Sequence, residues 1–388
     1  MIEVDSDVLA LKDYITDMRR RLHMHPETGF NEIFTRDMIL EQLNTMHFDE
    51  IKIMAQTGIK AVMMAPNASK TIALRADMDA LCVTELNDNP YISQNKGFMH
   101  ACGHDGHMSM LLGIARLLSE HKSDLSANVV LIFQPAEESE GGAQIMIEQG
   151  VLDNPKVDEI YAMHIFPDVE QGKIGIRPGP IMAQTAEFDI EITGRSAHGA
   201  MPHKGIDTIV IASHVIQMLQ SILTRNVDPA EQALITIGRI YGGERRNIIA
   251  EHTILEGMLR TFSDEVYELI KSRIMAALEG MGKAYSASLS YKEVVNYPVV
   301  FNDIELTRRF ISVIGEENIV EVKPQMIAED FSFYQKKVPG VYFLLGSKNS
   351  KGGFTAPLHS NHFDFDEDIL LIGVQIYKKL LNMNCWGN

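Results

Sequence analysis

The chain has 388 residues, too many for one ordinary compact domain, so two are expected. An apolar fraction of 45% and a charged fraction of 22% suit a globular protein and exclude a disordered one. With 35 Lys and Arg against 52 Asp and Glu, the formal net charge is -17, which argues against nucleic acid or an anionic membrane as the main partner.

The N-terminal MIEVDSDVLALKDY is acidic and lacks the basic start and small-residue cleavage site of a signal peptide. Leu11, Tyr14, Ile15, Met18 and Leu22 then recur at helical spacing, and Pro26 ends the run. TIALRADMDAL, NVVLIFQPAEES, EIYAMHIFP and, much later, VYFLLG read as strands. HMSMLLGIARLLSEH and GGAQIMIEQG, between them, read as helices. That alternation predicts an α/β fold: a mixed, largely parallel sheet flanked by helices. No apolar run reaches the length of about 18 residues that a membrane span needs. The three cysteines, Cys82, Cys102 and Cys385, are too sparse for a disulfide framework. A reducing cytoplasm is therefore expected.

From about Ala183 the order of elements changes. AEFDIEITG alternates like a strand, IDTIVIASHVIQMLQSILT is helical, and ALITIGRIYGG and HTILEGMLRTF are strands. A long helix follows with Ser263 as its N-cap, and ASLSYKEVVN closes the set as a strand. The order β-α-β-β-α-β is that of a ferredoxin-like unit. It predicts an inserted domain at 183–297 between two parts of the α/β domain, 1–182 and 298–388, with RPGP at Arg177–Pro180 as the connecting hinge.

Groups able to bind metal fall at the carboxyl ends of the predicted strands, the edge where open α/β sheets bind ligands. Asp77 and Asp79 end one strand, Glu137 and Glu138 follow another, and His164 follows a third. Cys102, His104 and His107 lie at the start of a helix, and His359 and His362 lie in PLHSNHFDFDED. Taken singly, each has an ordinary explanation: a small buried cysteine, a hydrogen-bonded histidine, acids in a helix's first turn. Together, thiolate, imidazole and carboxylate make a donor set for a transition metal, in excess of one tetrahedral site. Two ions sharing a ligand would use them, with a carboxylate as general base. If Glu137 and Glu138 lie in an extended segment, their side chains point opposite ways, one toward metal and one toward water.

The motifs RRLHMHPETGFNE, ALRADMDAL, HACGHDGHMSMLLG, FQPAEESEGGAQIMIEQG, GRSAHGAMPHKGID, AEDFSFY and PLHSNHFDFDED run in order along nearly the whole chain. In them the chain resembles the M20 metallopeptidases, in particular the amidohydrolase branch of hippurate hydrolase, N-acyl-amino-acid deacylases and auxin-conjugate hydrolases. The resemblance implies that Cys102, His104, Glu138, His164 and His359 are the ligands of two divalent ions, with Cys102 as the bridge. By the same resemblance His100 and His107 are not ligands, Glu137 is the general base, and Asp79 orients a ligand. His198 corresponds to a lid-domain histidine that reaches the other subunit's site and helps hold an oxyanion, which implies a homodimer paired through the lid. Asn247 and Arg260 correspond to lid residues that contact the substrate's carboxylate end. Where the family commonly has LHSPYF, this chain has LHSNHF, with His362 in the tyrosine's place; alignment favours His359 as the ligand.

The implied reaction is hydrolysis of an N-acetyl or N-aroyl amino acid to a carboxylic acid and a free amino acid, with zinc or manganese as cofactor, or cobalt or nickel. A dipeptide or N-acetyl-diaminopimelate is the alternative substrate. An intact Glu137 and a full ligand set count against a binding protein that keeps the fold without catalysis. A thiol mechanism, with Cys102 as nucleophile and His104 as base, differs by being insensitive to chelators.

Overall fold

The structure, a computed structural model, describes residues 2–384; Cys385 lies outside the described residues. The strands Thr71–Asp77 and Asn128–Gln134 are buried along their whole length, as apolar strands covered on both faces must be. They pair in parallel, and Glu159–Glu170 and Gly340–Lys348 extend the parallel array on the other side of Thr71–Asp77. The complete sheet has eight strands, in the order Glu50–Met54, Gly58–Met63, Asn128–Gln134, Thr71–Asp77, Glu159–Glu170, Gly340–Lys348, Ile174–Ile176, Ile319–Glu321. The pairings of Gly58–Met63 with both its neighbours, and of Ile174–Ile176 with Gly340–Lys348, are antiparallel. The sheet is thus mixed and largely parallel.

The helix His104–Glu120 is buried on nearly every side, because it lies between the sheet and the helices Lys12–His23 and Asp368–Asn384. Its first turn needs two glycines. Gly103, with φ +86, turns the chain into the helix through a conformation that side chains disfavour, and a Cβ on Gly106 would lie 2.6 Å from Ile165 Cδ1. The start of the helix is thereby seated directly against the strand that carries His164.

The chain divides into two compact units, one of Met1–Ile181, Phe301–Lys323 and Asp330–Asn388, the other of Met182–Val300 and Pro324–Glu329. The second has its own antiparallel sheet, in the order Ala233–Gly242, His252–Thr261, Gln184–Thr193, Ser288–Tyr297. Burial alternates along Gln184–Thr193, since one face is covered by the helices Thr208–Asn226 and Asp264–Tyr285. Both helices are capped: Asp207 accepts from Ile209 N and Val210 N, and Ser263 from Val266 N. In chain order these elements run β-α-β-β-α-β. Among the described residues no helix is long and apolar enough to cross a membrane.

Candidate metal centre

The sheet brings Asp77, Asp79, Cys102, His104, Glu137, Glu138, His164 and His359 to one region of the larger unit. His164 does not end its strand, as its sequence suggested. The strand continues to Glu170 because pairing with Gly340–Lys348 carries on past it. On the other side, pairing with Thr71–Asp77 stops at Ala162, so His164 faces an open edge.

Cys102 lies at the centre of the cluster. Its Sγ is 3.4 Å from His164 Nε2 and 3.4 Å from His359 Nε2. His359 Nε2 is 3.2 Å from Glu138 Oε1, which lies 4.0 Å from His104 Nε2. Two groups of potential ligand atoms share the thiol, Cys102–His104–His164 and Cys102–Glu138–His359, and a third joins His104 to Glu137 and Glu138.

The histidine tautomers follow from their partners. His104 Nδ1 donates to the Asp79 carbonyl at 2.8 Å, and His164 Nδ1 donates to the Ile165 carbonyl at 2.7 Å. In the neutral imidazole each therefore keeps an Nε2 lone pair directed at the cluster, the arrangement by which metal-binding histidines are oriented. His107 differs, because Ile165 N donates to its Nε2 at 2.8 Å and its Nδ1 lies 2.6 Å from Asp77 Oδ1. Both of its nitrogens are used, which leaves no lone pair for a cation. His100 is buried with neither nitrogen hydrogen-bonded, and it belongs to no group of potential ligands among the described residues. His362 is exposed and belongs to none either.

Glu137 and Glu138 sit in a turn, not the extended segment that alternation assumed. The turn follows Ala136 at φ 58, a left-handed conformation costing on the order of 1–3 kcal/mol for a non-glycine residue. Two carboxylates hold it. Glu32 Oε1 accepts from Ala136 N at 2.9 Å, and Asp79 accepts from Glu137 N at 3.0 Å and Glu138 N at 2.9 Å. His359, like Ala136 a non-glycine residue in the left-handed conformation, has φ 65, with its N–H donating to the Ala101 carbonyl.

Electrostatics favour a cation. Burial, reinforced by Glu138 and Glu137, holds the Cys102 thiol well above its ordinary range. Burial opposes a charge on His104, but Asp77, Asp79 and Glu138 outweigh it and push the ring up to about 10. Burial drives His164 down to about 3, with His107 adding to the effect. Burial likewise opposes the Glu138 carboxylate, yet His359 and His104 keep its pKa below the ordinary value. His104 Nε2 is buried and makes no hydrogen bond, and Glu138 Oε1 has only the His359 ring, 3.2 Å away. Buried groups of this kind are costly unless something else satisfies them, and each here is of a type able to bind metal, beside a thiol. The residues present fit divalent cations.

Beneath the cluster lies a network that the sequence did not announce. Arg75, itself buried, donates to Gln134 Oε1, Asp77 Oδ2 and Asp330 Oδ1 at 2.9, 2.7 and 3.1 Å. With the His104 and His107 rings, it supplies the positive charge that Asp77 needs in order to be buried as an anion. Asp330 comes from AEDFSFY, a motif noted in the sequence without a role for its acid.

In the smaller unit His198 is exposed in the short strand Ala197–His198, paired with Ile248–Ile249. Asn247 is adjacent, its carbonyl accepting from Gly199 N at 2.8 Å. Arg260 lies in the other sheet of that unit, half-buried, with Nη1 donating to the Met326 carbonyl at 2.9 Å.

The sequence pattern described as Peptidase family M20/M25/M40 matches residues 73–383. An N-acetyldiaminopimelate deacetylase of Brevibacillus brevis is 36% identical over 369 residues, 94% of this chain and 96% of that protein. An IAA-amino acid hydrolase ILR1-like 4 of Arabidopsis thaliana is 36% identical over 376 residues, 95% of this chain and 85% of that protein. The crystal structure of the Bacillus subtilis YXEP protein, a dinuclear metal-binding peptidase from the M20 family, superposes with a TM-score of 0.83 at 32% identity, over 97% of this chain and 98% of that one.

Proposed function

Because the chain belongs to peptidase family M20/M25/M40 and is an amide-cleaving hydrolase of that family, we propose that it hydrolyses N-acyl amino acids with two divalent ions. The products are a carboxylic acid and a free amino acid. One observation carries the reading: a buried thiol shared by two ligand groups, beside the orphaned His104 Nε2.

In this reading Cys102, His104 and His164 would hold one ion, and Cys102, Glu138 and His359 the other. Bound there, the ions would supply Lewis-acid polarisation of the amide carbonyl and acidify a water. Thiolate softness favours zinc, with manganese, cobalt and nickel as alternatives. Glu137 takes a proton from the attacking water and delivers it to the leaving amine nitrogen. Asp79 acts through others: it fixes the Glu137–Glu138 turn by its carboxylate and His104 by its carbonyl. The smaller unit serves as an inserted ferredoxin-like lid. In a homodimer its His198 donates to the oxyanion at the partner subunit's site, and Asn247 and Arg260 receive the substrate carboxylate.

A second reading of the substrate is favoured by the Brevibacillus relative, an N-acetyldiaminopimelate deacetylase. A screen of N-acetyl, N-benzoyl and indole-acetyl amino acids, N-acetyl-diaminopimelate and dipeptides, with each metal added back, separates the two. Fastest release from N-acetyl, N-benzoyl or indole-acetyl amino acids supports the proposal, and fastest turnover of N-acetyl-diaminopimelate supports the second reading. Turnover of dipeptides alone contradicts it.

A further inference from the structure

The helix Lys12–His23 carries a buried charge cluster that the proposed chemistry does not use. Arg19 is 1% exposed, with the rings of Tyr91 and Phe365 at 4.8 and 4.4 Å from its guanidinium carbon. Its three nitrogens reach three carboxylates. Nε donates to Asp105 Oδ2 at 2.9 Å, Nη2 to Asp364 Oδ1 at 2.7 Å and Nη1 to Glu367 Oε1 at 3.2 Å. Asp105 follows His104 in the first turn of its helix, and Asp364 lies in the loop that follows His359.

We propose that Arg19 is a positioning residue for the two-ion centre: its guanidinium locks the helix start bearing His104 to the loop bearing His359. This rests on the two-ion reading above. Cys102 and His359 are 257 residues apart in sequence yet must share an ion. The Cys102, His104 and His164 side chains are buried in the core and are held there by packing. His359 is exposed and left-handed, so its position depends on what anchors its loop.

The geometry also says which ion site suffers when Arg19 is lost. Asp105 keeps His23, whose Nδ1 lies 2.8 Å from its Oδ2, and Glu367 keeps Arg20 at 3.0 and 2.6 Å. Asp364 has no other ion pair among the described residues. The loop keeps the hydrogen bonds from His359 N to the Ala101 carbonyl, from Leu86 N to the Asn361 carbonyl and from Asn87 Nδ2 to the Phe363 carbonyl, but it loses its charged tie and so loosens, while the start of the helix keeps its second cation. A purely stabilising cluster would instead lower the unfolding midpoint and leave both ion affinities alone.

The test is a calorimetric titration of Co2+ into the metal-stripped full chain, with the thiolate-to-cobalt absorbance followed in parallel. His359→Ala identifies which of the two binding constants belongs to the site containing His359. Arg19→Met is expected to weaken that same constant by about 10–100-fold, the usual effect of removing a residue that orients a ligand. The other constant should stay near its wild-type value. Arg19→Lys should fall between, because an ammonium cannot span three carboxylates as the planar fork does. The double variant Arg19→Met/His359→Ala should bind no more weakly than His359→Ala, since the two act on one site. Where Arg19→Met does not fold, Asp364→Ala cuts only the link to the loop and should lower the same constant. Unchanged constants, equal loss at both sites or additive losses, in a folded variant of a wild type that binds two ions, overturn the role of Arg19. A wild type that binds fewer than two ions overturns the two-ion reading instead.

Discussion

Asp79→Asn replaces one oxygen by an amide and leaves the side chain's shape almost unchanged. Asp79 is 1% exposed, and its two oxygens accept separately from Glu137 N and Glu138 N. An asparagine can turn only one oxygen toward one of these donors, and its NH2 group then confronts the other N–H. The turn loses a charge-assisted hydrogen bond and leaves a buried donor unsatisfied, a cost of about 2–3 kcal/mol. That energy helps hold Ala136 in its left-handed conformation, so the turn is expected to relax and withdraw Glu138 from His359. Metal affinity should fall on the order of 10–100-fold and turnover with it. Calorimetric titration of the metal-stripped protein measures the first, and amino-acid release at saturating metal the second. Thermal unfolding of the metal-free variant checks that the rest of the fold survives. If Asp79→Asn bound both ions with wild-type affinity and turned over normally, the two backbone bonds would not be what aligns the glutamates.

Three further outcomes follow from the same geometry. Glu137→Ala should lose turnover by about a hundredfold or more and keep its ions, while Glu138→Ala should lose metal; elemental analysis beside kinetics separates them, and near-normal turnover in Glu137→Ala refutes the assignment. Burial opposes a charge on His23, but Asp105 and Glu85 outweigh it and push its pKa up to about 9, from 6.5. A raised pKa gives stability that is complete below about 6.5 and is lost as pH rises through about 9, about 3 kcal/mol in all. Denaturant unfolding of the metal-free protein across that window should show the decline, and His23→Gln should flatten it; an equal slope in the variant contradicts the pairing. Mixing inactive His198→Ala with inactive Glu137→Ala should restore activity, because one site of each heterodimer has both groups intact; verified heterodimers that stay inactive exclude action across the interface.

Much of the architecture is legible in the chain because its elements are long and strongly patterned. TIALRAD and NVVLIFQ can only be buried strands, and Ser263 announces the helix Asp264–Tyr285 by its cap. The strand Glu50–Met54 escapes such reading because it is short and mostly solvent-facing. The addition of Pro324–Glu329 to the smaller unit escapes too, since no local pattern reports a contact so far along the chain. At the site, the chemistry of the donors is visible as a conjunction of cysteine, histidine and glutamate. How the donors divide is not visible in the residue types themselves, and only the family resemblance sets His107 apart. That His107 spends both nitrogens on Asp77 and Ile165 N, whereas His104 keeps one, depends on backbone positions fixed by the sheet. The turn at Ala136 is hidden for a related reason: alanine gives no sign of a left-handed conformation, which is imposed by the carboxylates of Glu32 and Asp79.

The most direct measurement of the central claim is amide-hydrolysis rate against metal content, determined on the same samples. Protein stripped by a strong chelator is predicted to be inactive. Added zinc, manganese or cobalt should restore turnover in a curve that saturates at two ions per chain. Full turnover in protein shown by elemental analysis to hold no metal would contradict the account.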